Sequence, residues 1–117
     1  MPILHNLIGI TYSYIDENNK AIKSYKEALK LEPSNEEVYR NLGKSFLKIH
    51  DLNQAYKWFK QSINLKSDNP DAYFNLGIIN LEFENYFKSV EYFNQAIEQN
   101  NKFYQAYYNL GIVFNLL

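Results

Sequence analysis

The sequence has 117 residues, which is enough for one domain with a hydrophobic core. With 12 basic and 13 acidic residues the net charge is −1, so the chain lacks the positive field that holds nucleic acids or anionic membrane surfaces. There is no cysteine, which excludes disulfides and thiolate metal sites and is typical of a reducing compartment. Neither a signal-peptide pattern nor a run of about 18 apolar residues occurs, so we expect a cytoplasmic protein with no membrane partner.

The first 33 residues carry two apolar stripes at the three- and four-residue spacing of an amphipathic helix. The first stripe predicts a helix over residues 2–15, and Asp16-Glu17-Asn18 is expected to cap the next one. The second helix is predicted to end at Leu31, because the residue before Pro33 is disfavoured in a helix. Together they form one helical hairpin.

The second hairpin opens with Ser34-Asn35-Glu36-Glu37, which we interpret as a capping box. In this arrangement the Ser34 hydroxyl oxygen accepts a hydrogen bond from the Glu37 backbone amide, and the Glu37 carboxylate accepts one from the Ser34 backbone amide. The helix is predicted to end at Ile49, and the returning helix follows a turn at residues 50–53.

The third hairpin is predicted over residues 70–83 and 86–99. Asn69 is expected to cap it, with Pro70 at the first helical position, where its missing N–H costs nothing. A seventh helix is predicted over residues 104–117. The chain is therefore predicted to be all-α.

The four glycines Gly9, Gly43, Gly77 and Gly111 are each separated by 34 residues. A glycine inside a helix costs about 1 kcal/mol relative to alanine, so this register predicts a close approach of paired helices. Around Gly43 we expect Ala55 and Ser62 to permit that approach. The rings of Tyr39, Phe46 and Phe59 are expected to fill the spaces between hairpins.

The motifs Tyr39-x2-Leu42-Gly43-x2-Phe46 and Tyr107-x2-Leu110-Gly111-x2-Phe114 resemble the tetratricopeptide repeat family. The third repeat has Asn80 in place of an aromatic residue, and the first has His5. The resemblance implies a right-handed α-solenoid of stacked antiparallel helix pairs, with a concave face built mainly from the first helix of each repeat. It implies one domain over residues 1–117, with repeats at about 2–35, 36–69 and 70–103 and a half repeat at 104–117.

The position two residues before the glycine holds Asn41, Asn75 and Asn109 in the last three repeats, and Leu7 in the first. The resemblance places this position on the concave face and implies an asparagine ladder that binds an extended peptide. An asparagine amide offers a donor and an acceptor, which match a peptide unit.

The residues beside the ladder suggest what the peptide contains. Arg40, Lys44 and Lys48 are spaced four apart and form a basic strip in repeat two. The predicted apolar strip consists of Phe74, Ile78 and Leu81 in repeat three, with Tyr108 and Ile112 in repeat four. We expect an acidic end over the basic strip and apolar side chains over the other, although the basic strip also fits a solvated helix face.

The carboxylate clamp that some members of the family use to bind chaperone tails fits this sequence less well. Counted from repeat one, only Asn41 agrees, and Ile10 and Asp71 stand where the clamp has polar or basic residues. Counted from repeat two, Arg40 and Asn75 are compatible, but Lys44, Gln105 and Asn109 are not.

Several patterns resemble chemical sites without completing one. Gly43-Lys44-Ser45 lacks the earlier glycine and the strand of a phosphate-binding loop. His5 and His50 have no metal ligands at a suitable spacing, and capping explains Asp68 and Asp71. We therefore expect no catalysis, no metal and no cofactor.

Two functions remain. The first is a protein-interaction module that binds a peptide in its groove. The alternative is a structural scaffold, or a segment that self-associates into a homodimer through the exposed apolar face of the last helix, at Gly111, Phe114 and Leu117.

Overall fold

The computed structural model describes residues 2–117, and over that range it contains seven α-helices and no β-strand. The all-α prediction is therefore confirmed; Met1, the first residue of the predicted domain, lies outside the described residues. The helices are α1 (Pro2–Tyr14), α2 (Asn18–Leu31), α3 (Glu36–Lys48), α4 (Leu52–Leu65), α5 (Pro70–Glu82), α6 (Tyr86–Gln99) and α7 (Tyr104–Leu116).

The chain divides into two compact units, Met1–Leu65 and Lys66–Leu117. In the first unit, α1 pairs with α2 and α3 pairs with α4, while α2 packs against α3. In the second unit, α5 pairs with α6, and α7 packs against α6. The prediction of one domain over the whole chain remains a prediction.

Each glycine of the first three repeats lies against an aromatic ring sixteen residues later in the chain. A Cβ atom built on Gly9 would stand 2.4 Å from the ring of Tyr25, and one on Gly43 would stand 2.8 Å from that of Phe59. At Gly77 the same distance to Phe93 is 2.6 Å. No side chain fits at these distances, which confirms that the glycines permit the close approach of paired helices.

The turn inside each hairpin contains a non-glycine residue in the left-handed region. Asp16, His50 and Glu84 have φ angles of 59°, 63° and 59°, and they too are separated by 34 residues. The next amide closes the turn: Asp51 N–H donates to the Phe46 carbonyl at 2.9 Å, and Asn85 N–H to that of Asn80 at 2.8 Å. This is the bonding of a Schellman motif, in which the residue in the left-handed region is usually glycine.

Because of these turns, the first helices of the hairpins end one residue earlier than predicted. Ile49 and Phe83 were expected to be the last helical residues, but each is the C-cap, and Leu117 is the C-cap of α7. Helix α1 similarly ends at Tyr14 rather than at residue 15.

The helix starts only partly follow the predicted capping. The prediction at Asn69 is confirmed, since its side chain accepts a bond of 3.3 Å from the Ala72 amide, and Pro70 follows it. The capping box at Ser34 is wrong, because α3 begins at Glu36. Its N-cap is therefore Asn35, one residue after Ser34, and Asn35 makes no side-chain capping bond. The expected cap before α2 is wrong in the same way, since Glu17 is its N-cap without such a bond.

Candidate functional site

The three asparagines predicted to form the ladder lie half-buried on α3, α5 and α7. Asn75 Nδ2 donates to the carbonyl of Asp71 at 2.9 Å, and Asn109 Nδ2 donates to that of Gln105 at 2.8 Å. Both bonds reach one turn back along the same helix. They fix each side chain, and no residue within 2–117 donates to either side-chain carbonyl oxygen.

Asn41 has a different partner, because a second asparagine lies opposite it on α1. Asn41 Nδ2 donates to Asn6 Oδ1 at 3.3 Å. Asn6 is buried, and this bond links two helices inside the first compact unit. The Asn41 oxygen, like those of the other two ladder residues, accepts no hydrogen bond from the described residues.

The predicted basic strip is tied to neighbouring groups. Arg40 Nε lies 3.4 Å from a Glu36 carboxylate oxygen. Lys48 Nζ donates to Ser13 Oγ at 3.0 Å and lies 3.5 Å from the Ser13 carbonyl. That carbonyl is near the end of α1, where a positive charge is favourable. Lys44 is exposed.

A small cleft of about 160 Å³ lies among α1, α2 and α3 in the first unit. It brings together two of the predicted site residues, one from the ladder and one from the basic strip. The residues that line it are Ile10, Ser13, Tyr14, Tyr25, Asn41 and Lys48.

In the predicted apolar strip, Phe74 is half-buried against two other aromatic rings. Its ring stacks on Phe103 at a centroid distance of 4.8 Å and lies 5.7 Å from Phe93. Phe103 reaches it as the residue immediately before α7. Ile78 is half-buried, whereas Tyr108 is 73% exposed and Ile112 36% exposed. The surface open to a ligand in this strip is therefore mainly on α7.

The outer face of α7 is open. A Cβ atom on Gly111 would meet nothing within 4 Å, in contrast to the other three glycines. Phe114 and Leu117 are exposed by 55% and 52%. Ala106 and Val113 are fully buried on the opposite side of the helix, which packs against α6.

Sequence reasoning missed four residues that shape these surfaces: Asn6, Ser13, Tyr25 and Phe103. Asn6 is one residue off the ladder register, so the 34-residue comparison did not connect it with Asn41. Tyr25 carried a visible signal, since Phe59 and Phe93 occupy the equivalent positions. The pKa of Tyr25 is raised to about 12, mainly because the residue is buried and to a lesser degree because of the negative charge of Glu37.

The remaining titratable groups form no metal site. Between residues 2 and 117, no three histidine, aspartate or glutamate side chains come together. His5 lines a separate cleft of about 420 Å³ between α1 and α2, with Ile8, Tyr12 and Lys20 among its neighbours.

None of the helices in the described part of the chain has both the length and the apolar character needed to cross a bilayer.

Profiles of one family match most of the sequence. The profile described as TPR repeat matches residues 14–49 and 51–82, and that described as tetratricopeptide repeat matches residues 70–103. No protein of curated function matches the chain by sequence.

Solved structures share the fold. The first TPR of Spaghetti (RPAP3), bound to the HSP90 peptide SRMEEVD, has a TM-score of 0.95 at 14% identity, covering 98% of this chain and 91% of that one. The Arabidopsis OM64 TPR domain has a TM-score of 0.96 at 21% identity, with coverages of 99% and 96%. A crystal structure of MamA has a TM-score of 0.87 at 30% identity and covers 92% of this chain, which spans 63% of the MamA chain. These likenesses confirm the predicted TPR-like fold.

Proposed function

Because the chain belongs to the tetratricopeptide repeat family, we propose that it is a protein-interaction module that binds an extended peptide segment through Asn41, Asn75 and Asn109. One observation carries the proposal. Each of these side chains is held by its own amide hydrogen bond, while its carbonyl oxygen has no donor among the described residues. A peptide N–H is the natural donor for such an oxygen.

The hydrogen bonds to the ladder account for only part of the binding. Each contributes about 0.5–1.5 kcal/mol, so three contribute about 1.5–4.5 kcal/mol, and a dissociation constant of 1 mM corresponds to about −4.1 kcal/mol. Side-chain contacts must therefore supply any affinity tighter than about millimolar. We infer that acidic side chains lie near Lys44 and Lys48, and that apolar ones contact Tyr108 and Ile112 on α7.

The structure of the first TPR of Spaghetti supports the acidic part of this proposal, since the bound peptide SRMEEVD carries glutamates and an aspartate. The clamp residues expected for a chaperone tail are replaced in this chain, by Ile10 and Asp71 among others. We therefore propose an internal acidic-apolar segment as the ligand, and binding without catalysis. The cytoplasmic location predicted from the sequence remains a prediction.

The test is a peptide array that varies acidic and apolar positions, followed by titration of the best peptides in solution. Replacing Asn41, Asn75 and Asn109 together by alanine should weaken binding of every selected peptide by at least tenfold. The matched control replaces Asn19, Asn64 and Asn94, which are exposed asparagines on the second helices. Equal binding by the ladder variant and the control would refute the ladder.

A second function rests on the open face of α7. Gly111 and Phe114 are one turn apart on this helix, and a two-fold dimer brings the same face of both copies into contact. We propose that this self-complementary pair supports a homodimer, with Leu117 extending the contact.

Sedimentation at micromolar concentration tests the dimer. Phe114→Glu should convert a dimer into a monomer, since a carboxylate cannot be buried against the partner helix without a large penalty. Phe87→Glu is the matched control, because Phe87 is 76% exposed on α6. A monomeric parent protein would rule out the homodimer.

A further inference from the structure

One hydroxyl distinguishes the first repeat from the next two. Tyr25, Phe59 and Phe93 all press a ring against a glycine of the paired helix. Only Tyr25 carries a polar atom at the end of that ring. The ring position is therefore fixed by packing, and the hydroxyl is an addition that packing does not require.

Tyr25 is only 2% exposed, but its hydroxyl is not one of the completely buried polar atoms that lack a partner. Tyr25 is one of the residues that line the 160 Å³ cleft, so a ligand in the cleft can reach this side chain.

The polar groups around the cleft are mostly donors. Lys48 has three N–H donors, and its two contacts are with the single residue Ser13, one of them at the long distance of 3.5 Å. Asn41 uses one N–H for Asn6 and keeps a second. No carboxylate lines the cleft. The Tyr25 hydroxyl is protonated at neutral pH, as an ordinary tyrosine also is, and can therefore donate a hydrogen bond.

We propose that this cleft receives the carboxylate of an aspartate or glutamate side chain of the bound peptide, with Tyr25 and Lys48 as its donors. The inference rests on the proposed peptide-binding function and assigns one pocket to it. Hydrogen bonds to a charged group are roughly twice as strong as neutral ones. The cleft, at about 160 Å³, has room for one short acidic side chain.

The test uses a defined set of fluorescent nonapeptides, in which one glutamate is moved along an alanine-leucine background, together with the matching glutamine set. The titrated proteins are the parent, Tyr25→Phe and Lys48→Met. Phenylalanine is the native residue at the equivalent positions 59 and 93, so Tyr25→Phe should fold normally. Tyr12→Phe is the control, because Tyr12 lines the separate cleft beside His5.

For one position of the glutamate, the parent should bind the glutamate peptide about tenfold more tightly than its glutamine counterpart. That preference should disappear in Tyr25→Phe and in Lys48→Met and persist in Tyr12→Phe. A tenfold loss corresponds to about 1.4 kcal/mol, close to the lower end of the range of about 1.5–3 kcal/mol for a hydrogen bond to a charged group.

Two other outcomes overturn the inference, and they are distinguishable. If the parent binds glutamate and glutamine peptides equally, or if Tyr25→Phe keeps the preference, the cleft is not an acidic pocket while the peptide-binding function stands. If the parent binds none of these peptides and none from the array, both the pocket and the proposed function fail.

Discussion

The ring of Phe59 occupies the space in which Gly43 has no side chain, at 2.8 Å from where a Cβ atom would lie. Phe59 is fully buried, so its ring is enclosed by neighbouring residues. The same relationship holds at Gly9 and Gly77 and is absent at Gly111. The four glycines share a register but not a role.

This difference predicts opposite effects of one substitution at two positions. Gly43→Ala should destabilise the protein by about 1–3 kcal/mol, because the methyl group overpacks the contact with Phe59. Gly111→Ala should stabilise it by up to about 1 kcal/mol, since alanine favours the helix and meets nothing within 4 Å. Urea unfolding of both variants measures the two changes. Equal effects at the two sites would contradict the packing explanation.

The left-handed turn residues predict a stabilising substitution. Glu84 has a φ of 59°, and a non-glycine residue in this region carries a cost of about 1–2 kcal/mol. Glu84→Gly should raise the free energy of unfolding by about 0.5–1 kcal/mol, after allowing for the greater entropy of glycine in the unfolded chain. Glu82→Gly is the control at the last helical residue of α5 and should lower stability instead. A loss of stability in Glu84→Gly would disprove the turn geometry.

The bond between Asn41 and Asn6 predicts energetic coupling across the first unit. The two side chains are 3.3 Å apart between Nδ2 and Oδ1, and Asn6 is buried. A double-mutant cycle with alanine at both positions should give a coupling energy of about 0.5–1.5 kcal/mol. The same cycle between Asn41 and exposed Asn19 should give a value near zero. If the first cycle is also additive, the bond does not stabilise the fold.

The raised pKa of Tyr25 predicts a loss of stability in alkaline solution. In the unfolded chain its hydroxyl ionises near the ordinary value of 10, whereas in the folded protein burial, with Glu37, raises the pKa to about 12. The folded state favours the neutral hydroxyl, so this contribution is complete below pH 10 and falls as the pH rises towards 12. Denaturant unfolding of the parent and of Tyr25→Phe should therefore diverge only above pH 10, with the parent losing more. Parallel curves up to pH 12 would contradict the assignment.

The sequence by itself determined the number of helices, their pairing within hairpins and the family, because a 34-residue period in glycine and aromatic residues is a local and repeated signal. It also predicted the role of Gly43, since a glycine inside a helix requires a neighbour that excludes a side chain. The capping box at Ser34 failed because its residue types permit more than one starting point, and α3 begins at Glu36.

Only the tertiary structure decided what the repeat pattern leaves open. It paired Asn41 with Asn6 and Lys48 with Ser13 through hydrogen bonds, and it stacked Phe74 on Phe103. These contacts depend on the angle and depth at which neighbouring helices pack. Asn6 and Phe103 lie outside the repeated motif positions, so spacing alone gave no reason to connect them with the site. Whether a side chain faces a ligand or a neighbour is a property of packing, since residues with the same place in the period can meet different surroundings.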